Sequence, residues 1–539
     1  MKRKPGRRFI SNIKESLINS EIYNVYYNRP VRDDLVFVES RNGKDFAGNI
    51  LRLAVRIREL YGDRYTICTA AVPDRMDHIR QLLSSCGLED VQIYEYDSRK
   101  HIQMLETAGY LINDTTFPFR YVKRDGQICL NTWHGTPYKK MGNDKHEGRH
   151  LIDNIQRNLM QADYLLFPSR YCEEKMTSAH CIEDMYQGAV LEEGYPRNSV
   201  FFDPDAAARV KETYGLGEKQ VYVYMPTFRE KSSAEREDRP AADLSQIVKE
   251  IDEQLTDGEI MFVKLHPLEM TKLDLGSFRH IRRFPEDIEP YEFLTACNCL
   301  VTDYSSVFYD FANSRRKIVR FIYDEDDYSA SRGLYDQPVE IPFPAVSTVS
   351  GLISELRSSI DYDDRAFLEC YCTYDNADAA DRIIRHIFEK ADTCREHRVY
   401  AERKRVLVYS GDLAEQPLTE FLESLNNEPD DNTDYYICFS RVALRKKSNI
   451  GNLRNLPVGR PVYGINGRLF LTLSEYMAKR SERHGSGGPS VSRKKERYLS
   501  REFRRSFLNT DFSKFIYLSG DNSEITEVVK CSGAEIVSR

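Results

Sequence analysis

Short apolar runs alternate with helix-periodic stretches through most of this chain, and that alternation leaves few folds open. Between residues 35 and 390 the strand-like runs are Leu35–Glu39, Tyr65–Ala70, Val91–Tyr94, Ile128–Asn131, Tyr164–Pro168, Val221–Met225, Ile260–Lys264, Cys299–Thr302 and Ile318–Ile322. Among them lie stretches of 3.6-residue periodicity, such as Asn49–Leu60, Asp74–Leu83, Leu244–Leu255 and Val307–Ala312. Strand–helix–strand at this spacing implies βαβ units and parallel sheets. Nine strands make a long open sheet. The expectation is therefore an α/β chain with two Rossmann-like, doubly wound domains facing a cleft.

The break falls near Gly194–Pro196, after the strand-like Ala189–Leu191, which divides the chain into 35–193 and 194–392. The helical stretch Asn376–Lys390 follows the second set of strands and could cross back to the first. A new alternation begins at Arg405–Ser410 and continues through helical Leu418–Leu425, strand-like Tyr435–Phe439, helical Leu471–Lys479 and Arg501–Phe507, and strand-like Phe515–Leu518 and Ala534–Val537. With four strand-like runs and a flexible Gly485–Pro489 interruption, residues 400–539 read as a partial α/β unit. Residues 1–34 read as a basic N-terminal arm.

Composition narrows the class. The 539 residues exceed what one core absorbs, and 41% hydrophobic with 30% charged residues excludes wholesale disorder. No window approaches 18 uninterrupted apolar residues, so a transmembrane helix is not expected, and the basic start lacks the apolar core of a secretory signal. The 12 cysteines include no CxxC pair, which points to free thiols in a reducing compartment. The net charge of −7 conceals a local +13 over residues 441–510, and Lys2, Arg3, Lys4, Arg7 and Arg8 form a second basic cluster. Such clusters suit an anionic partner; a solvated surface is the alternative.

Ligands of open parallel sheets bind outside the carboxyl ends of the strands. Four strand ends stand out. After Ile128–Asn131 comes Thr132-Trp133-His134-Gly135-Thr136-Pro137, a tight turn presenting a histidine, the side chain suited to proton transfer near neutral pH. A packed core histidine beside the chain's single tryptophan is the other reading. After Val221–Met225 comes Pro226-Thr227-Phe228-Arg229, with a hydroxyl and a guanidinium that can hold phosphate oxygens. After Ile260–Lys264 comes Leu265-His266-Pro267. After Cys299–Thr302 comes Asp303-Tyr304-Ser305-Ser306, where a serine should cap the helix carrying Asp310 and create an anion site. The four together describe a nucleotide-diphosphate cleft between two domains. His146-Glu147-Gly148-Arg149-His150 matches HExxH, but Gly148 weakens the helix that a zinc site needs, and no carboxylate cluster marks another metal site.

With these residues in view, the chain resembles the CDP-glycerol glycerophosphotransferases of teichoic acid synthesis. The matching stretches are Asn131–Gly142, Glu193–Ser199, Met225–Glu230, Val263–Pro267, Val301–Ala312 and Phe321–Tyr335, with Glu39-Ser40 and Gly43-Lys44-Asp45 upstream. The resemblance implies a GT-B-like fold and transfer of glycerol phosphate from CDP-glycerol to a hydroxyl of a lipid-linked acceptor, releasing CMP. It implies no cofactor. By resemblance His134 is the general-base candidate and His266 contacts the diphosphate, although sequence does not say which histidine does which. Arg197, Thr227, Ser305 and Ser306 would hold phosphates. Trp133, Gly135, Thr136, Pro137, Pro226, Lys264, Leu265 and Asp310 would line the donor site. A peripheral enzyme on the cytoplasmic membrane face, held by an anionic surface, follows from a lipid-linked acceptor. The alternatives are CDP-ribitol as donor, a GT-B glycosyltransferase or epimerase, and a degenerate binding module. The basic 441–510 segment lacks RNP, KH and zinc-finger patterns, so nucleic acid is not the expected partner.

Overall fold

The structure is a computed structural model of the 539-residue chain. It describes residues 18–227, 244–265, 275–323 and 333–538, except 412, 414, 428–431, 458, 486–487, 509 and 520–522. Three sheets follow one another along the sequence. The first contains β1 (Arg32–Glu39), β2 (Thr66–Ala71), β3 (Gln92–Glu95), β4 (Ala108–Asn113), β5 (Ile128–Asn131), β6 (Tyr164–Phe167) and β7 (Ala189–Glu192), all parallel, in the order β3-β2-β1-β4-β5-β6-β7. The second contains β8 (Gln220–Met225), β9 (Glu259–Val263), β10 (Ile281–Arg283), β11 (Cys299–Thr302), β12 (Lys317–Phe321) and β13 (Ala345–Val346), again parallel, in the order β10-β9-β8-β11-β12-β13.

Both sheets start in the middle, wind to one edge, then return and wind to the other. The strand order reverses between β1 and β4, and between β8 and β11, which opens a crevice at each reversal. Helices cover both faces, so central strands are apolar on both sides: Leu35, Val36, Phe37 and Val38 are all buried in succession.

After the second sheet the helix Ala379–Glu389 does return to the first. Its Ile383, Ile384 and Ile387 pack with Val36, Ile50 and Ile57, and β14 (Arg395–His397) then lies antiparallel to β7. The first 34 residues are not simply an arm, because residues 18–27 are helical and Tyr23 is buried in the core beneath β1 and β4.

The last sheet contains β15 (Lys404–Ser410), β16 (Thr433–Ser440), β17 (Val462–Ile465), β18 (Lys514–Ser519) and β19 (Glu535–Ser538), all parallel, in the order β17-β16-β15-β18-β19. It has five strands where four were expected, and repeats the reversing order of the other two sheets. The additional strand, β17, carries Gly464 because it runs against the first unit: a Cβ there would stand 2.5 Å from Asp153 Cβ. Gln156 completes the contact, donating to Val462 O (2.9 Å) and accepting from Gly464 N–H (3.0 Å). The HExxH stretch explains itself here. His146–Leu151 is a 3-10 helix, and the buried Arg149 donates to the Leu456 carbonyl and to Pro457 O (2.8 Å), just past the helix Lys447–Arg454. Among the described residues no group of three or more His, Cys, Asp or Glu side chains could hold a metal ion, and no helix is long and apolar enough to cross a membrane.

Candidate functional site

The two reversal points face each other. On the first sheet, β1, β4 and β5 end side by side, and their loops carry Ser40, Asp114 and His134. Asn131, the last residue of β5, shapes the turn. Its Oδ1 accepts Trp133 N–H (2.9 Å) while its Nδ2 donates to Asn113 Oδ1 (2.9 Å) and Thr115 O (3.0 Å). Held this way, Trp133 adopts φ +48°, a conformation costing a non-glycine residue about 1–3 kcal/mol. The result is a histidine projected from the strand end with its ring stacked on Trp133 (centroids 4.3 Å apart, planes at 28°).

His134 Nδ1 lies 2.8 Å from Asp114 O. A carbonyl only accepts, so Nδ1 carries the proton and Nε2 carries the lone pair. Burial pushes the His134 pKa down, with the Asp114 carboxylate opposing, so the ring is held toward its neutral form. Asp114 is itself fixed, since its carboxylate accepts from Ser40 Oγ (2.6 Å) and Arg41 N–H (2.8 Å).

On the second sheet, Asp303 ties β8 to β11 by accepting Thr227 N–H (2.8 and 3.0 Å) and Tyr304 N–H (2.5 Å). Lys139 Nζ reaches Thr227 Oγ1 at 3.4 Å from the first unit. Ser306 occupies the N-cap position of the short helix Val307–Phe311, but its hydroxyl does not cap the helix as expected. It faces Gly135 instead: a Cβ at Gly135 would sit 3.0 Å from Ser306 Oγ and 3.5 Å from Arg197 Nη2. Lys264 follows β9, its ammonium 4.7 Å from the centre of the Phe284 ring, and burial lowers its pKa. Pro226 is partly exposed and Leu265 is buried at the same strand ends.

Arg197 and Asp310 depart from expectation. Rather than presenting free groups to a phosphate and a hydroxyl, they bind each other: Arg197 Nε (3.1 Å) and Nη2 (2.9 Å to each oxygen) donate to the Asp310 carboxylate, with both residues buried. Tyr195 and Tyr291 lie within 4.8 and 4.7 Å of the guanidinium, and Tyr291 OH donates to Asp310 (3.2 Å). Arg197 Nη1 then donates to His134 O (3.0 Å), so the pair locks the histidine turn to the second sheet. Thr136 and Pro137 are buried behind that turn, where Tyr171 OH donates to Pro137 O (3.0 Å). His266 and Arg229 lie outside the described residues.

Residues not anticipated complete the frame. Asn49 Oδ1 accepts Arg197 N–H (3.2 Å). Glu289, buried and with its pKa raised by that burial, accepts from Tyr291 N–H (2.7 Å), Glu292 N–H (3.0 Å) and, across the cleft, Gly48 N–H (3.1 Å). One carboxylate thus serves the amino ends of two helices, Pro290–Leu294 and Gly48–Tyr61.

The model of the CDP-glycerol:poly(glycerophosphate) glycerophosphotransferase family matches residues 21–389, which take in both facing sheets and every loop just described. The chain belongs to that family. This glycerophosphotransferase is 27% identical over 407 residues to a teichoic acid glycerol-phosphate transferase of Staphylococcus aureus, covering 70% of this chain and 100% of that one. It is 25% identical over 388 residues to a teichoic acid poly(glycerol phosphate) polymerase of Bacillus spizizenii, covering 69% and 96%. Against the polymerase of Staphylococcus epidermidis it is 29% identical over 314 residues, 53% of this chain, and spans only 42% of that relative. In three dimensions it resembles the wall teichoic acid polymerase TagF (TM-score 0.58, 23% identity, 71% of this chain and 96% of that one), and a form of TagF solved with CDPG (TM-score 0.58, 22% identity, 71% and 97%). These likenesses show the GT-B-like fold. The third sheet of the glycerophosphotransferase lies beyond the family match.

Proposed function

We propose that this chain transfers glycerol phosphate from CDP-glycerol to a hydroxyl of a lipid-linked, teichoic-acid-type or capsular acceptor, with release of CMP at the cytoplasmic face of the membrane. His134 Nε2 takes the proton of the acceptor hydroxyl as that oxygen attacks the glycerol-bearing phosphorus; the bond to the CMP oxygen breaks and its electron pair leaves with CMP. Thr227, Lys264, Ser305 and Ser306 hold the diphosphate oxygens, and His266, on the family resemblance, stabilises the charge that develops on the departing phosphate. Trp133, Gly135, Thr136, Pro137, Pro226 and Leu265 form the walls and floor of that donor site. Arg197 and Asp310 act as positioning residues, holding the histidine turn against Ser306.

The observation that carries this reading is the His134 Nδ1 bond to Asp114 O, which leaves Nε2 as the basic nitrogen. The test is incubation with a panel of CDP-alcohols and a lipid-linked acceptor, following CMP. Preference for CDP-glycerol supports the reading. Preference for CDP-ribitol would change the donor, and no CMP release with any CDP-alcohol would contradict the transfer.

A further inference from the structure

The helix Leu473–Arg483 presents an unusual outer face. At about 100° per residue, Leu473, Tyr476, Met477, Arg480, Arg483 and the following His484 fall within an arc of about 120°. All six are exposed, and three are large apolar side chains: Leu473 at 55%, Tyr476 at 41% and Met477 at 52%. The acidic residues of the helix lie on the opposite side. Glu475 is buried against Arg501 (2.8 Å), and Glu482 pairs with Lys495 (2.8 Å). The neighbouring helix Pro489–Phe507 adds exposed Arg493, Lys494 and Arg497. Among the described residues no ion pair engages Arg480, Arg493, Lys494 or Arg497.

The apolar surface extends beyond this helix. Glu21 accepts Leu473 N–H (2.5 Å), bringing the N-terminal helical segment alongside, and that segment exposes Ile18 (48%) and Val25 (41%) one heptad apart. The basic cluster from Lys2 to Arg8 lies earlier in the sequence, with residues 9–17 between. A capping box between Thr472 and Glu475 secures the amino end of the Leu473 helix, so its exposed side chains stand on a firm support.

We propose that this face docks on an anionic lipid surface. The apolar first half of the helix enters the boundary of the acyl chains, and the Arg480–His484 half meets the headgroups. An exposed apolar stripe alone fits many partners. One continued by the exposed Arg480 and by Arg483, which stays largely exposed while reaching Glu524 (3.4 Å), with the helix's own acids on its opposite side, fits a partner that is apolar beneath and anionic on top. This deepens the proposed function by saying how a chain with no spanning helix among its described residues would reach a lipid-linked acceptor, but the binding itself needs no transfer reaction.

The test is sedimentation of the full chain with phosphatidylcholine vesicles, with and without phosphatidylglycerol. Binding is expected only with phosphatidylglycerol, and it should fall as salt rises from about 0.1 M to about 1 M, where the screening length shrinks from about 10 Å to about 3 Å. R480E/R483E and L473S/Y476S/M477S should each weaken binding by at least about tenfold. Their side chains are exposed, so circular dichroism should be unchanged. Equal binding by either variant, salt-insensitive binding, or binding to oligonucleotides but not to vesicles would overturn the proposal. Because no substrate is present, such a failure leaves the transfer reading standing, and a failed CMP assay leaves this one standing.

Discussion

The Arg197–Asp310 pair allows a quantitative test of how the two sheets hold the site. Asp310→Ala would strand a guanidinium that is 4% exposed, removing the carboxylate that accepts three of its hydrogen bonds. Taking one partner from a buried pair costs about 3–5 kcal/mol, a large share of the roughly 5–15 kcal/mol that holds a typical domain folded. The assay is built into the chain: its single tryptophan, Trp133, stacks on His134, whose carbonyl Arg197 binds. In urea titrations followed by Trp133 emission, Asp310→Ala should lower the stability of that transition by about 3–5 kcal/mol and lower CMP release with it. Arg197→Met/Asp310→Leu, which removes both charges at similar volume, should recover most of the stability but not the activity, because the bond to His134 O is still lost. A shift below about 0.5 kcal/mol for Asp310→Ala, as at an ordinary surface site, would refute the reasoning.

Gly135→Ala should reduce CMP release by about 10–100-fold, since the new Cβ, 3.0 Å from Ser306 Oγ, forces the two loops apart; unchanged kinetics would show that the loops give way. The pH profile of kcat/KM should fall on the acid side as His134 protonates, and because burial lowers its pKa that limb should lie below the usual value of about 6.5. An acid limb above that value would contradict the assignment. Arg149→Ala should speed hydrogen exchange in the helix Lys447–Arg454 and in β17 by loosening the third sheet, while CMP release stays near its original rate.

Strand ends were readable where β-branched and aromatic runs stop at polar residues. Ile128–Asn131 and Cys299–Thr302 have the same bounds in the sequence reading and in the structure. The missed strand β4 follows the helix Arg99–Thr107 with no turn residues between, and begins Ala108-Gly109, which reads as a break. Gly109 is required by packing: a Cβ there would meet Arg32 O at 2.6 Å. Without β4, Asp114 could not be placed at a strand end, although the rule that found His134 would have found it too. β17 was hidden for the same kind of reason, since Gly464 answers to Asp153, some three hundred residues earlier in the chain. The Arg197–Asp310 and Gly48–Glu289 contacts join residues 113 and 241 positions apart. The family resemblance marked Arg197 as a phosphate ligand and Asp310 as a donor-site residue; only the fold shows that each is the other's partner.

The central claim is that His134 is the base that activates the acceptor hydroxyl. Its most direct test is CMP release from CDP-glycerol with acceptor present, comparing the wild-type chain with His134→Ala while circular dichroism confirms an intact fold. The account predicts loss of about 10²–10⁴-fold in rate with little change in fold. A His134→Ala chain that releases CMP at the wild-type rate would contradict it.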